Sequence, residues 1–381
     1  MQLQHQNIVI IGAGVSGLAL AGALHRHGAH CQVYEAEDQL WSLGGGLIIP
    51  PNSVKVLERL GLDSVLKVRG VELQEMRIYD ASGRLLYARS QQDVAGQHGH
   101  ALLGLAREDL HRALAEYLPA GTVQTGHRLT GLENHFHEAV ARFHNGRQVR
   151  ADLLVAADGR NSRVRELLYP ETRLVPTGDV AYRGVTSQRP AGDLDSTFSE
   201  FWGPGRRFTC FRMAENLTYW HAPVRQSLGA PALSKAELLR AFEDFPPAVL
   251  DLIAATDQAE ITALPIQDIS PLPEWWSRRT VLIGDAAHAT SPNLGQGAAQ
   301  ALADAEALAT WLVTAPDRLT ALESYQQQRE GTANAATATA RAFGEMGQAR
   351  GVMRFARNLA LSINPELARR RIEAFYGDPV S

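Results

Sequence analysis

The stretch Ile8 to Gly17, IVIIGAGVSG, leaves this chain few ways to fold. Four consecutive β-branched residues read as a short buried strand. The strand runs straight into G-x-G-x-x-G, and a segment rich in Ala and Leu, Val15 to His27, follows as a helix. Gly12 permits the tight turn, Gly14 lets a phosphate approach the main chain, and Gly17 lets the helix pack close on the strand. The helix start adds free N–H groups and the positive end of the helix dipole. A second strand, CQVYE from Cys31, ends on Glu35, about twenty residues on, where a carboxylate can accept the hydroxyls of an adenosine ribose. Strand, helix and strand in about thirty residues make a βαβ unit and imply a parallel sheet. A turn without a ligand is the alternative reading of the glycines. With the acid in place the motif points to a dinucleotide, and leaves open whether it is NAD or FAD.

Ile8 to Leu24 is also an uncharged apolar run about as long as a short membrane span. The residues before it, MQLQHQN, carry no Lys or Arg and so supply no basic region of a signal peptide. The expectation is a cytoplasmic protein with no transmembrane segment. A net charge of −4 gives no footprint for nucleic acid. The two cysteines, Cys31 and Cys210, fit no metal or redox spacing and read as free thiols in a reducing compartment.

At 381 residues the chain has room for two domains. Helices are expected over Ser53 to Leu60 and Arg107 to Tyr117, and a buried strand at Asp152 to Ala156 (DLLVA). The middle changes texture. Ala181 to Arg189, Phe198 to Trp202, Phe208 to Met213 and Leu217 to Ala222 are short β-type runs parted by turn residues, which predicts an antiparallel meander. Ser234 to Ile253 reads as helical. Thr280 to Ile283 returns to the apolar strand type, and Leu319 to Tyr376 is mostly helical. There ARRRIEAF, from Ala368, reads as a helix end packed on the body, with a basic membrane-contacting helix as the alternative.

Two further motifs extend the first. Asp158 to Arg165, DGRNSRVR, follows the strand DLLVA; alone it is a turn and a helix start. Val281 to Leu302, VLIGDAAHATSPNLGQGAAQAL, leads a strand into Gly284-Asp285, then a loop without charged side chains, then Gly295-Gln296-Gly297 before a helix. A second acid and a second glycine-rich helix start make sense if one long ligand crosses the domain, and FAD is such a ligand. Asp285 is placed to hold a ribityl hydroxyl, and the later helix start to face the flavin ring where reduction leaves negative charge. The fold expected is therefore α/β: a Rossmann-like FAD-binding domain with a parallel sheet, interrupted by a β-rich substrate domain, plus C-terminal helices. The segments are 1–68, 101–176 and 271–330 for the FAD-binding domain, 69–100 and 177–270 for the substrate domain, and 331–381 for the last helices.

GxGxxG, DGxxSxVR and GDAAHxxxPxxGQG, in this order and over nearly the whole chain, resemble the single-component FAD-dependent monooxygenases, the aromatic hydroxylases. The length is similar to compact members such as the urate- and quinolone-hydroxylating enzymes. The resemblance implies that Gly12, Ala13, Gly14, Gly17, Glu35 and Ala36 bind the ADP half of FAD. It implies that Gly46 and Arg107 hold the flavin nucleotide, and that Asp285, Gly295, Gln296, Gly297 and Ala298 hold the ring half. Asp158 is implied to serve FAD and a passing NADPH or NADH. The implied reaction hydroxylates an aromatic or heteroaromatic small molecule with NAD(P)H and O2, through a flavin C4a-hydroperoxide. One departure is Ala299 and Ala303-Asp304, where many members carry Asn or Gly and a Glu-Asp pair; it leaves backbone contacts to the flavin intact.

Arg207 and Tyr219 match an arginine–tyrosine spacing in the urate- and quinolone-type relatives. The arginine would anchor an anionic or carbonyl oxygen, and the phenol would orient or deprotonate a ring hydroxyl. The alternative is a cross-strand pair on a solvated sheet face. Arg183, in AYRG, is a third candidate. His288 is read as satisfying backbone groups of its loop rather than as a base, and His221 as a strand residue. A non-hydroxylating flavoprotein of the same fold is the first competing function. A NAD-dependent dehydrogenase leaves the GD…GQG stretch unexplained, and a flavin-binding sensor without turnover is the third.

Overall fold

The computed structural model describes residues 3–40, 45–227 and 229–377. The β-branched run Ile8–Ile11 is the centre of a six-stranded sheet and is fully buried, as a strand covered on both faces must be. It pairs in parallel with Leu153–Ala156 on one side and Cys31–Tyr34 on the other, Ile8 lying opposite both Leu153 and Cys31. Thr280–Leu282 continues the parallel order beyond Leu153–Ala156. Three segments far apart in the chain therefore deliver the ends of their strands to one edge of the sheet. The helices Val15–Arg26 and Gly297–Thr314 pack together beside it. Ala19, Ala23 and Ala305 line their junction, where small side chains permit close approach.

The second large sheet has seven strands, in the order Thr262–Ile269, Leu174–Thr186, Leu217–Arg225, Arg206–Ala214, Thr197–Gly203, Glu75–Asp80 and Leu85–Ser90. The expected meander is its middle. Two things differ from the sequence reading. The strand expected from Ala181 begins at Leu174, across an irregularity between Pro176 and Val180. The expected helix over Ser234 to Ile253 is two helices, Lys235–Ala241 and Pro247–Ala255, because Pro246-Pro247 removes two N–H donors and restarts the helix. These helices cover one face of the sheet, with Phe242, Leu252 and Ile253 against Tyr182, Phe208 and Trp220.

The other face forms a roof over the edge of the parallel sheet. A small sheet of Gly46–Ile49, Leu103–Ala106 and Val71–Glu72 lies between the two. Its glycines are set by contact: a Cβ on Gly46 would stand 2.7 Å from the Tyr219 Cβ, and one on Gly104 would stand 2.2 Å from the Arg212 carbonyl oxygen.

The chain ends in the helices Arg318–Gly347, Gly351–Ile363 and Pro365–Glu373. Ile372 and Tyr376 are buried with Leu86 and Tyr87, so ARRRIEAF is a packed helix end. Among the described residues no helix is long and apolar enough to cross a membrane.

Candidate active site

Gly12, Ala13, Gly14 and Gly17 meet Glu35 and Ala36 at the carboxyl ends of the two N-terminal strands. Gly12 has φ +101°, and a Cβ there would lie 2.4 Å from the Ala157 carbonyl oxygen. A Cβ on Gly17 would lie 2.1 Å from the Gly12 carbonyl oxygen, so both glycines are forced by packing. Gly14 differs: its Cβ would first meet protein 4.0 Å away, so the main chain borders open space there. Glu35 accepts hydrogen bonds from the Ala13 N–H (2.8 Å) and the Glu37 N–H (3.0 Å), which fixes the carboxylate at the mouth of the turn. The His111 ring reaches the Ala13 carbonyl from the helix Arg107–Glu116. Sequence reasoning missed His111, one turn beyond Arg107; that spacing was its only signal.

The next two motifs are joined through Arg165, the last residue of DGRNSRVR. Asp158 accepts from Ser162 Oγ (2.5 Å), Arg163 N–H (2.8 Å) and Val164 N–H (3.1 Å), and so holds the start of the helix Arg163–Leu168. Burial pushes its carboxyl up, against these hydrogen bonds. Arg165, itself buried, donates to the carbonyls of Arg160 (2.5 Å), Asp285 (3.2 Å) and Ala286 (3.0 Å). It ties the DG segment to the GD segment.

Behind Gly284, which has φ +57°, Asp304 accepts from the Gly284 N–H (2.7 Å). The same carboxylate meets His288 Nε2 (2.5 Å) and Arg329 Nε (2.8 Å) and is fully buried. His288 therefore serves a side chain, where the sequence reading gave it backbone groups. Burial alone would raise the Asp304 carboxyl; His288, Arg329 and the Gly284 N–H outweigh it and bring it down to about 2.

The Asp285 carboxylate, which Arg165 reaches only electrostatically, has no hydrogen-bond or ion-pair partner among the described residues, and neither does the exposed Arg107 guanidinium. Gln296 precedes the helix Gly297–Thr314, which no side chain caps, and a Cβ on Gly297 would meet nothing within 4 Å. Gly295, at φ +64°, lies beside Ile48, so the strand Gly46–Ile49 runs between this loop and the roof. Open main chain at Gly14 and Gly297, with an unpartnered carboxylate and an unpartnered guanidinium, fits a long ligand carrying phosphates and hydroxyls.

On the roof, strand register puts Arg183, His221, Thr209 and Glu200 in one row across four strands. Val185, Tyr219 and Phe211 form the next row. Residues opposite one another share a face, so Tyr219 and Arg183 are on the side that faces Gly46. Arg207 is on this face too, but its guanidinium is engaged. It donates to Glu200 (2.6 Å) and to Asn293, in the loop before Gly295, and it is 1% exposed. Arg183 has neither an ion-pair nor a hydrogen-bond partner among the described residues, and its Nε is buried. His221 is buried with Nε2 unpartnered; burial, then Arg183 and Arg207, hold its pKa well below the usual value. It is a neutral imidazole on the strand Leu217–Arg225, the strand position that the sequence reading gave it. Burial raises the Tyr219 phenol, while Arg183 and Arg107 act to lower it.

A parallel-sheet cradle for a dinucleotide, under a β-sheet roof with an uncompensated arginine, defines the class of two-sheet flavoprotein oxidoreductases. Residues 5–340 match the model of a family described as FAD binding domain. The chain is 31% identical to an aurachin C monooxygenase/isomerase of Stigmatella aurantiaca, over 90% of this chain and 89% of that one. It is 30% identical to a FAD-dependent urate hydroxylase of Klebsiella pneumoniae, over 84% and 85%. The solved structure of Klebsiella pneumoniae HpxO with FAD and uric acid superposes with a TM-score of 0.92 at 27% identity, over 100% of this chain and 99% of that one. The chain belongs to this FAD-binding family, and it is a FAD-dependent monooxygenase of the aromatic hydroxylase type.

Proposed function

We propose that the protein hydroxylates a small, planar heteroaromatic or phenolic anion, using NADPH or NADH and O2, in the cytoplasm. One observation carries the substrate class: Arg183 is a cation on the roof face with no carboxylate beside it, whereas its neighbour Arg207 has Glu200. A half-buried guanidinium without a counter-ion favours an anionic partner, which would gain a charge-assisted hydrogen bond. Urate, the substrate named for one relative, and 6-hydroxynicotinate, named for another, are small ring compounds of this kind.

Bound FAD supplies the electron transfer and oxygen chemistry. Gly12, Ala13, Gly14, Gly17, Glu35 and Ala36 would hold its ADP half; Gly46, Arg107 and Asp158 its middle; Asp285 and Gly295 to Ala298 its ring half. Arg183 anchors the substrate anion. Tyr219 orients the ring hydroxyl by a hydrogen bond from a phenol that burial keeps protonated, against the smaller opposing effect of Arg183 and Arg107. His221, neutral, accepts or donates one hydrogen bond at the substrate edge. Arg207 fixes the roof to the loop carrying Gly295, and so acts on position rather than by contact with the substrate.

The test is oxidation of NADH and NADPH in air across a panel of phenols, hydroxypyridines, purines and hydroxyquinolines, with product analysis. An anionic ring compound should stimulate oxidation and yield a hydroxylated product. Arg183→Gln should raise its KM about ten- to a hundred-fold with a smaller effect on kcat, as loss of a uniform binding contact does. Oxidation that no compound alters, or stimulation without hydroxylated product, would refute the reading.

A further inference from the structure

The helix Gly351–Ile363 is amphipathic the wrong way round for a helix packed on a core. Its buried residues are Arg357, Asn358 and Leu361. Arg357 donates to the carbonyls of Met346 and Gly347 (2.9 Å each), and its guanidinium lies over the Trp202 ring at 5.2 Å. The inward polar groups are thus satisfied, and the helix is firmly seated. Its outward face carries Val352, Phe355, Leu359 and Ile363, at spacings of three, four and four that make a single stripe, with Met353 beside it. These side chains are 83%, 71%, 49%, 72% and 70% exposed respectively. A contiguous apolar stripe of this kind marks a surface that something covers.

Charge indicates what covers it. No Asp or Glu occurs from Met346 to Pro365, in a chain whose net charge is −4. Arg350 and Arg354 flank the start of the stripe and are exposed. A two-fold contact with a second copy would set two such acid-free, arginine-bearing segments together, with no carboxylate on either to compensate. An anionic lipid surface satisfies both halves at once: acyl chains take the stripe, and phosphates take the arginines. Thirteen residues reach about 20 Å, too short to span a bilayer and suited to lying in its plane. The helix also lies beyond residue 340, where the match to the FAD-binding family ends.

We propose that the helix Gly351–Ile363 docks the protein reversibly on an anionic membrane surface. The experiment is flotation of the flavin-loaded protein with phosphatidylcholine vesicles, with and without about one-third phosphatidylglycerol. The protein should float with the anionic vesicles and not with the neutral ones. Phe355→Ser/Leu359→Ser should lower the partition at least about ten-fold, and Arg354→Glu about ten-fold. All these side chains point outward, so flavin content and unfolding midpoint should match the parent and report that the variants fold. Absence of flotation with anionic vesicles overturns the proposal, as does flotation that the double substitution leaves unchanged. Sedimentation velocity finding a dimer that the double substitution dissociates, with no flotation, would overturn it in favour of a second copy.

Discussion

Asp304 accepts from Gly284 and His288, at the two ends of one short turn, and from Arg329 in the helix Arg318–Gly347. It thereby holds the turn that presents Asp285, although it touches no ligand-facing space itself. A carboxylate this buried persists only because both of its oxygens are engaged. Its pKa is depressed from 3.8 to about 2, so its contribution to stability is present above about pH 4 and lost as pH falls through about 2. The depression corresponds to about 2 kcal/mol. Asp304→Asn leaves Arg329 buried without a counter-ion and should cost about 3–5 kcal/mol at neutral pH. In urea unfolding, the gap between parent and variant should narrow as pH is lowered from about 4 toward 2. A gap that stays constant across that range would show that the carboxylate carries no charge-dependent stability. In the sequence Asp304 stands out only as the acid that follows Ala303, where many members carry a Glu-Asp pair. Its partners lie 16 to 25 residues away, and no local pattern brings them together.

The long helix Arg318–Gly347 closes the roof with two glycines three residues apart. A Cβ on Gly344 would stand 2.3 Å from Asn293 Nδ2, and one on Gly347 would stand 2.2 Å from Arg207 Cδ. Both therefore leave room for the Arg207–Asn293 bridge. Gly347→Ala should displace Arg207 and lower kcat about ten- to a hundred-fold, with flavin content retained. Gly331→Ala in the same helix meets nothing within 4 Å, and should leave kcat unchanged while stabilising by up to about 1 kcal/mol. Equal kcat in parent and Gly347→Ala would mean the bridge does not position the site. The elements themselves were largely legible. The parallel strands announce themselves by β-branched runs ending at glycine, and the meander by regular turns. Thr262–Ile269 was not foreseen, because Pro265 interrupts its pattern; the strand lies at the edge of its sheet, where a missing N–H is tolerated. Leu174 to Gly178 was missed because Pro176 and Gly178, at φ +84°, make the irregularity that bends the strand.

At the scale of the molecule, the chain leaves the parallel sheet after Cys31–Tyr34, adds two strands to the roof, returns at the edge strand Val123–Gln124 and then at Leu153–Ala156, builds the rest of the roof, and returns again at Thr280–Leu282. The cofactor motifs follow Ile8–Ile11, Leu153–Ala156 and Thr280–Leu282, three strands of the parallel sheet, which is why they were readable: each needs a glycine or an acid at a strand end. The proposed substrate face was readable only as separate candidates, Arg183, Arg207 and Tyr219, since its rows form from strands whose register only the folded sheets define. Arg183, His221 and Tyr219 become neighbours through pairing, not spacing. The interleaving also bears on unfolding. Gly46 against Tyr219, Gly104 against Arg212 and Asn293 against Arg207 lock the roof to the cradle, so neither sheet has a free boundary at which to melt alone. Calorimetry should show one cooperative transition in the flavin-loaded protein. A thousand-fold excess of FAD over its Kd adds about 4 kcal/mol, which for a chain of this length raises the midpoint by about 5 °C. Removing the flavin should shift that single transition down as a whole. Two resolved transitions, with the upper one indifferent to flavin, would mean that the roof folds independently of the cradle and that these three contacts do not couple them.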